Sequence, residues 1–296
     1  MSDGSRIVIG VHGLSNKPPR ELHEADWKRA IAEGLKRNEG QAPSPDELPF
    51  ALVYWADWRK SEEEGWKPIP PEQDDEPYAP APGEGKLPTY GESWHDVLRA
   101  EGRALAARPL DWFKQTFGVD AAADAFLSRR LPDLGLYYAD RDKCRLLRGR
   151  LKDALLAHQG RRIMLVAHSM GTIVAYDVLR DLERAEPGLV VEHLVTLGAP
   201  LGLPHVLLKI LDEHGDARTP ANVRRWSNLA DRHDPVAADT TLANDFKPSG
   251  SGVAVEDDLV LNGYESPRTG RPDHHKIYGY LRAPELSARL AAFLRG

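Results

Sequence analysis

One segment near the middle of the chain restricts the possible folds more than any other. Residues 162–168 form a mostly apolar run of strand length, and residues 170–185 follow with the spacing of an amphipathic helix. Ser169 lies at the junction, with Ala167 two residues before it and Gly171 two residues after it. Small residues are needed at both positions because the strand and helix backbones come close together at a sharp turn. The segment therefore predicts a strand, a tight turn that exposes the Ser169 hydroxyl, and a helix whose N-terminus faces that hydroxyl.

The rest of the chain repeats this alternation of strands and helices. Apolar runs predict further strands at residues 6–11, 50–55, 190–197, 223–229 and 258–262. Helical spacing predicts helices at residues 22–38, 142–158, 206–211 and 284–294. Strands that alternate with helices are joined by crossover connections, so we predict an α/β fold, with a mostly parallel central sheet and helices on both faces.

A long segment between the second and third strands does not fit this pattern. Residues 61–90 contain seven prolines and almost no aliphatic side chains, while residues 92–108 and 110–131 are helical in spacing and the second of these segments carries four aromatic residues. The segment is too long for a simple connection. We interpret residues 61–140 as a cap or lid inserted into a single domain that spans residues 1–296. Trp94, Trp112 and Phe113 are candidates for binding a substrate, although packing inside the cap itself is the plainer interpretation.

Composition excludes several classes of protein. The 39 basic and 45 acidic residues give a net charge of −6, which argues against general nucleic-acid binding. The single cysteine, Cys144, excludes an intrachain disulfide framework. The start of the chain lacks the pattern of a signal peptide, and its first apolar run is far shorter than a membrane span. The eleven histidines form no metal-type cluster by spacing. We therefore expect a soluble, cytoplasmic protein with no stable membrane insertion; the sequence does not specify its oligomeric state.

Ser169 is a candidate nucleophile, which needs a base, a group that orients the base, and donors for an oxyanion. Such groups lie on loops at the carboxyl ends of the strands. The first strand ends at His12-Gly13-Leu14, where a tight turn could direct the backbone N–H of Leu14 toward Ser169. The N–H of Met170 is the second candidate donor. His12 is also a candidate for contact with the substrate, although a structural role is the simpler interpretation.

The acid and the base follow later in the chain, and each has two candidates. Asp231 and Asp234 both follow the strand predicted at residues 223–229, and we prefer Asp234 because the proline after it would fix the loop. In folds of this kind the base comes after the acid. Downstream of Asp234 the chain has only His274 and His275, and we prefer His275. The two remaining histidines near these positions, His168 and His233, are expected to be structural.

This order of motifs resembles the α/β-hydrolase fold, and within it the lipases and esterases. The residues that carry the resemblance are His12-Gly13-Leu14, Ala167-His168-Ser169-Met170-Gly171, Gly198-Ala199-Pro200, Asp234-Pro235-Val236 and His275. The nucleophile motif of this family normally begins with Gly; Ala167 stands there instead, a substitution also familiar from some bacterial lipases.

The resemblance implies a serine hydrolase that cleaves a carboxylic ester of a small molecule or lipid through an acyl-enzyme. It implies Ser169, Asp234 and His275 as the catalytic triad, Leu14 and Met170 as oxyanion donors, and no metal or organic cofactor. The same triad could act on a thioester, a lactone or an amide. A protein of this fold that binds a ligand without turnover is the alternative from another class. A lipase that docks on membranes is a further alternative, which no long basic amphipathic helix supports.

Overall fold

A computed structural model of the chain describes residues 4–13, 17–56, 76–90 and 137–296. Within these ranges, six strands form one sheet in which all neighbouring strands are parallel. The strands are β1 (Arg6–Val11), β2 (Phe50–Val53), β3 (Arg162–His168), β4 (His193–Leu197), β5 (Trp226–Ala230) and β6 (Val255–Leu259). The predicted α/β class with a parallel sheet is confirmed.

Helices cover both faces of this sheet. They are α1 (Arg20–Glu39), α2 (Arg141–Ala157), α3 (Met170–Ala185), α4 (Pro204–His214), α5 (Ile277–Leu281) and α6 (Pro284–Arg295). Helices α2, α3 and α4 share an apolar core with one face of the sheet, and α1, α5 and α6 share a second core with the other face. None of the helices in the described ranges is long and apolar enough to cross a membrane.

The continuous apolar run of β3 follows from this double coverage. Ile163, Leu165 and Ala167 belong to the core beneath α3. Met164 and Val166 belong to the core on the opposite face. Successive side chains of a strand point to opposite faces, so a strand buried on both faces has no polar alternation.

The order of the strands places Ser169 at the switch point of the sheet. The order across the sheet is β2-β1-β3-β4-β5-β6, so the chain runs from β1 outward to β2 and then crosses back to β3. The connections that leave β1 and β3 therefore diverge in opposite directions. Ligands of open α/β sheets bind at such a switch point, beyond the carboxyl ends of the strands. Gly13 follows β1 and Ser169 follows β3, so both lie at this point.

The predicted bounds of β1, β3 and α3 agree with the observed ones, but the strand predicted for β6 begins three residues after the observed strand. The expected strand at residues 258–262 is observed at Val255–Leu259. Polar residues occupy the middle of β6 because they bind neighbouring groups: the Asp257 carboxylate accepts a hydrogen bond from the Asn228 side chain at 2.9 Å and one from the Leu242 N–H at 3.0 Å. Helix α5 was not predicted.

The predicted cap lies largely outside the described residues. Residues 76–90 are described and contain neither helix nor strand. They pack against the C-terminal part of α1, where Arg37 donates hydrogen bonds to the carbonyls of Ala81 and Gly85. Asn38 accepts a hydrogen bond from the Leu87 N–H at 3.1 Å.

Candidate active site

Ser169 adopts a strained backbone conformation at the turn between β3 and α3. Its φ of 55° and ψ of −131° make it the sole residue other than glycine with positive φ in the described part of the chain. A β-carbon in this region costs about 1–3 kcal/mol. The turn is held by the Ser169 N–H, which donates to the Leu197 carbonyl at 3.0 Å, and by the Thr172 hydroxyl, which donates to the Ser169 carbonyl at 2.6 Å.

Gly171 and Gly13 allow the backbones to approach at this turn, and the spacing around Ser169 predicts the first of them. A β-carbon on Gly171 would lie 2.7 Å from the carbonyl oxygens of Val11 and His12. A β-carbon on Gly13 would lie 2.7 Å from Cβ of Ser169. Both distances are shorter than the contacts that real β-carbons make. A larger residue at position 13 or 171 would therefore force the neighbouring atoms to shift, and glycine avoids this. The loop after β1 therefore lies directly against Ser169.

The structure brings Ser169, His275 and Asp234 together in one hydrogen-bonded row. Nε2 of His275 lies 2.9 Å from Oγ of Ser169. Nδ1 of His275 lies 2.9 Å and 2.8 Å from the two carboxylate oxygens of Asp234. A carboxylate can only accept, so Nδ1 carries the proton and Nε2 presents its lone pair to the serine hydroxyl. This is the geometry of a nucleophile, a general base and an orienting acid.

Asp234 is buried but well supplied with donors. Burial acts to raise its pKa, while the hydrogen bond and charge of His275, the Tyr280 hydroxyl and the Val236 N–H together bring the pKa below its usual value. The Tyr280 hydroxyl donates to Oδ2 at 2.7 Å, and the Val236 N–H donates to Oδ1 at 2.8 Å. The carboxylate therefore remains ionised and fixed in orientation.

Three consecutive carbonyls hold the loop that carries His275. The Asn262 side chain donates to the His274 carbonyl at 2.8 Å and to the Lys276 carbonyl at 2.9 Å. Nε2 of His168 lies 2.9 Å from the His275 carbonyl. Asn262 is itself buried and follows β6. The position of His275, the candidate base, thus depends on a side chain from another loop and on the residue before Ser169.

His168 packs beside the strand, as expected, and its ring also lies against that of His275, the candidate base. Its ring lies 4.7 Å from that of His275, centroid to centroid. Burial lowers the pKa of His168 well below its usual range, and the nearby His275 lowers it further. The ring is therefore neutral, and its Nε2 carries the proton that it donates to the His275 carbonyl.

The remaining predicted site residues are found in different places. Met170 is the first residue of α3, so its N–H has no acceptor within the helix and faces the turn. His12 is buried: its Nδ1 lies 2.6 Å from the Gly13 carbonyl, and its Nε2 accepts from the Trp55 N–H at 3.1 Å. The contact of His12 with a substrate stays a prediction. The predicted residues outside the described ranges are Leu14, Trp94, Trp112 and Phe113.

The two rival candidates lie apart from Ser169. His274 and Asp231 face each other, with Nδ1 of His274 3.4 Å from Oδ2 of Asp231. The sequence assigned no role to Tyr280, which binds the candidate acid Asp234, or to Asn262, which binds the loop of the candidate base His275. Tyr280 lies five residues after His275, at the end of the Ile277-Tyr278-Gly279-Tyr280 run. This closeness in the sequence is the one feature that could have indicated a contact with the site. Asn262 has no such feature.

The fold and this row of side chains define an α/β protein with a candidate nucleophile, base and acid at the switch point of its sheet. Comparison with known proteins adds no family: no family model matches the chain, and a search of curated proteins found no significant match.

Proposed function

We propose that the chain is a serine hydrolase that cleaves a carboxylic ester through an acyl-enzyme intermediate, as in the α/β-hydrolase fold that its sequence resembles. The observation that carries the proposal is the 2.9 Å contact between Ser169 Oγ and His275 Nε2, with Asp234 bound to the other ring nitrogen. The strain at Ser169 supports it, because strain of this kind clusters at functional sites.

In the acylation step, Oγ of Ser169 attacks the ester carbonyl carbon while Nε2 of His275 takes the hydroxyl proton. Asp234 stabilises the imidazolium that forms. The carbonyl oxygen becomes an oxyanion, which the N–H of Met170 at the N-terminus of α3 would bind, together with the predicted donor of Leu14. The tetrahedral intermediate collapses, the bond to the alcohol oxygen breaks, and His275 returns the proton to the leaving alcohol.

Deacylation repeats these steps with water as the nucleophile. His275 takes a proton from water, the hydroxide attacks the acyl carbon, and the proton then returns to Oγ of Ser169 as the acid leaves. Ser169, His275 and Asp234 would perform the same steps with a different leaving group. A thioester, a lactone and an amide are therefore alternative substrates. A panel of acyl lengths and leaving groups distinguishes these substrates. We infer a small-molecule or lipid ester substrate and a cytoplasmic location.

The test uses Ser169→Ala, with Ser287→Ala as a matched control. Ser287 is also buried, but its hydroxyl binds α6 and α1: it donates to the Ala283 carbonyl and accepts from the Asn38 amide. We expect Ser169→Ala to keep the fold and to lose hydrolysis of a short p-nitrophenyl ester by at least about 10³-fold, while Ser287→Ala keeps it. A fluorophosphonate probe should label the natural chain and not Ser169→Ala. A folded natural chain that neither labels nor turns over any ester would instead favour a binding protein.

A further inference from the structure

Asp231, His233 and His274 form a second cluster, apart from the row of Ser169, His275 and Asp234. Nδ1 of His233 lies 3.1 Å from Oδ1 of Asp231, and Nδ1 of His274 lies 3.4 Å from Oδ2. The two imidazole rings face each other with centroids 5.0 Å apart and planes inclined by 37°. The three ligand atoms all lie within 4.8 Å of one another. Spacing did not reveal the cluster, because His274 is 41 residues from His233 in the chain.

The hydrogen bonding fixes the carboxylate and leaves one ring nitrogen unsatisfied. The backbone N–H groups of His233 and Asn262 each donate to a different oxygen of Asp231, both at 2.7 Å. Each carboxylate oxygen has a second lone pair, and an imidazole nitrogen lies near each oxygen: Nδ1 of His233 near Oδ1 and Nδ1 of His274 near Oδ2. Nδ1 of His274 is buried and makes no hydrogen bond, although it lies near Oδ2. A buried nitrogen without a partner is costly, so this position calls for a ligand.

A second group of two carboxylates and a histidine differs from the first, because a guanidinium already binds its carboxylates. Asp177, Glu213 and His214 are equally close to one another. There the Arg148 guanidinium binds both acids, at 2.7 Å from Asp177 and 2.8 Å from Glu213. The arginine already supplies the positive charge at that cluster, so a metal ion would have to displace it.

We propose that Asp231, His233 and His274 bind a divalent transition metal ion of the zinc type, with water completing the coordination. Two imidazole nitrogens and one carboxylate are a ligand set that suits Zn²⁺. Ligand atoms about 2.0–2.1 Å from a tetrahedral ion lie about 3.3 Å apart, which is close to the two distances at Asp231. His233 has 58 % of its side chain exposed. It can therefore turn to meet the ion and leaves a path for its entry.

The ion would join the two loops that carry the acid and the base. Asp231 precedes Asp234 by three residues in one loop, and His274 is directly bonded to His275 in the other. The ion would occupy neither the space between His275 and Ser169 nor that between His275 and Asp234. Its role would therefore be structural: it would hold the two loops together. Its binding can be measured without any hydrolytic activity.

The experiment titrates the full chain, freed of metal by a chelator, with Zn²⁺ in competition with a chromophoric chelator, and separately with Co²⁺. We expect one equivalent of Zn²⁺ to bind, and Co²⁺ to give the intense visible bands of tetrahedral coordination. His233→Ala and His274→Gln should each weaken Zn²⁺ binding by more than about 100-fold, since loss of even a supporting residue costs 10–100-fold. His233→Ala is the safer variant for folding, because the side chain is mostly exposed.

His214→Gln is the matched control, because it removes a histidine from the cluster that Arg148 already neutralises. It should bind Zn²⁺ like the natural chain, and Zn²⁺ should raise the Tm of both but not that of His233→Ala. The proposal is wrong if His233→Ala and His274→Gln bind Zn²⁺ as tightly as the natural chain. It is also wrong if Co²⁺ keeps the weak spectrum of the hydrated ion. Neither result depends on whether Ser169 is a nucleophile.

Discussion

Replacement of Asn262 by alanine should impair the base without touching any reacting atom. The Asn262 amide donates two hydrogen bonds, of 2.8 Å and 2.9 Å, to the carbonyls on either side of His275. Each such bond contributes about 1 kcal/mol, and a carbonyl left without a donor adds to the cost. We expect Asn262→Ala to lower the free energy of unfolding by about 2–4 kcal/mol. The loop that carries His275 would then be held mainly by His168 and by the bond from Nδ1 to Asp234.

The expected kinetic effect follows from the loss of position. A displacement of about 1 Å at a catalytic group can cost about 100-fold in rate. We expect kcat for a p-nitrophenyl ester to fall about 10- to 100-fold, while KM stays within about twofold because Asn262 is not placed to contact the substrate. The rate at which a fluorophosphonate labels Ser169 should fall in parallel, since that reaction also needs the base.

Asn222→Ala is the control for a general loss of stability. Asn222 is another buried asparagine, and its amide donates one 3.0 Å hydrogen bond to the Leu179 carbonyl in α3. Its replacement should cost at most about 1 kcal/mol and leave kcat unchanged. If Asn262→Ala loses the expected stability but keeps kcat and the labelling rate within about twofold, then Asn262 does not position His275.

Three further predictions concern stability. Ser169→Gly should be more stable than Ser169→Ala by about 1 kcal/mol or more in urea unfolding, because glycine tolerates the positive φ of this turn; equal stabilities would show that the turn is unstrained. Tyr280→Phe should raise the depressed pKa of Asp234. A depressed carboxyl pKa adds stability above the unfolded value, about 3.9, and this stability is lost as the pH falls through the folded pKa. The destabilisation by Tyr280→Phe should therefore be larger near about pH 7 than near about pH 2, and a constant difference would contradict it. Arg148→Met leaves Asp177 buried without its guanidinium, so it should cost about 3 kcal/mol in the same assay, and a loss below about 1 kcal/mol would refute this.

The sequence predicted the parts of the fold that depend on local pattern. The apolar run of β3, the small residues around Ser169 and the amphipathic spacing of α3 each have one physical interpretation, and the structure agrees with all three. The predicted position of β6 was wrong by three residues because β6 is an edge strand, and an edge strand needs little apolar surface. Its Asp257 is half-buried, and the Asn228 amide and the N–H groups of Leu242 and Ala243 donate to its carboxylate.

Local sequence pattern does not determine whether His274 or His275 faces Ser169. Adjacent residues of a loop have the same composition and nearly the same position, and only the path of the backbone decides which ring faces Ser169. That path is set by Asn262 and His168, which donate to carbonyls 12 and 107 residues away in the chain. Contacts across such distances leave no periodicity in the sequence.

The strand order also has a consequence for the synthesis of the protein. Ser169 follows the third strand, but the base that would activate it lies 106 residues later, beyond β6. A ribosome therefore synthesises the residues of all six described strands before it adds His275. Until His275 is added, the Ser169 hydroxyl cannot make the contact with Nε2 that the complete chain shows. Reactivity at Ser169 would then report that the last loop has docked.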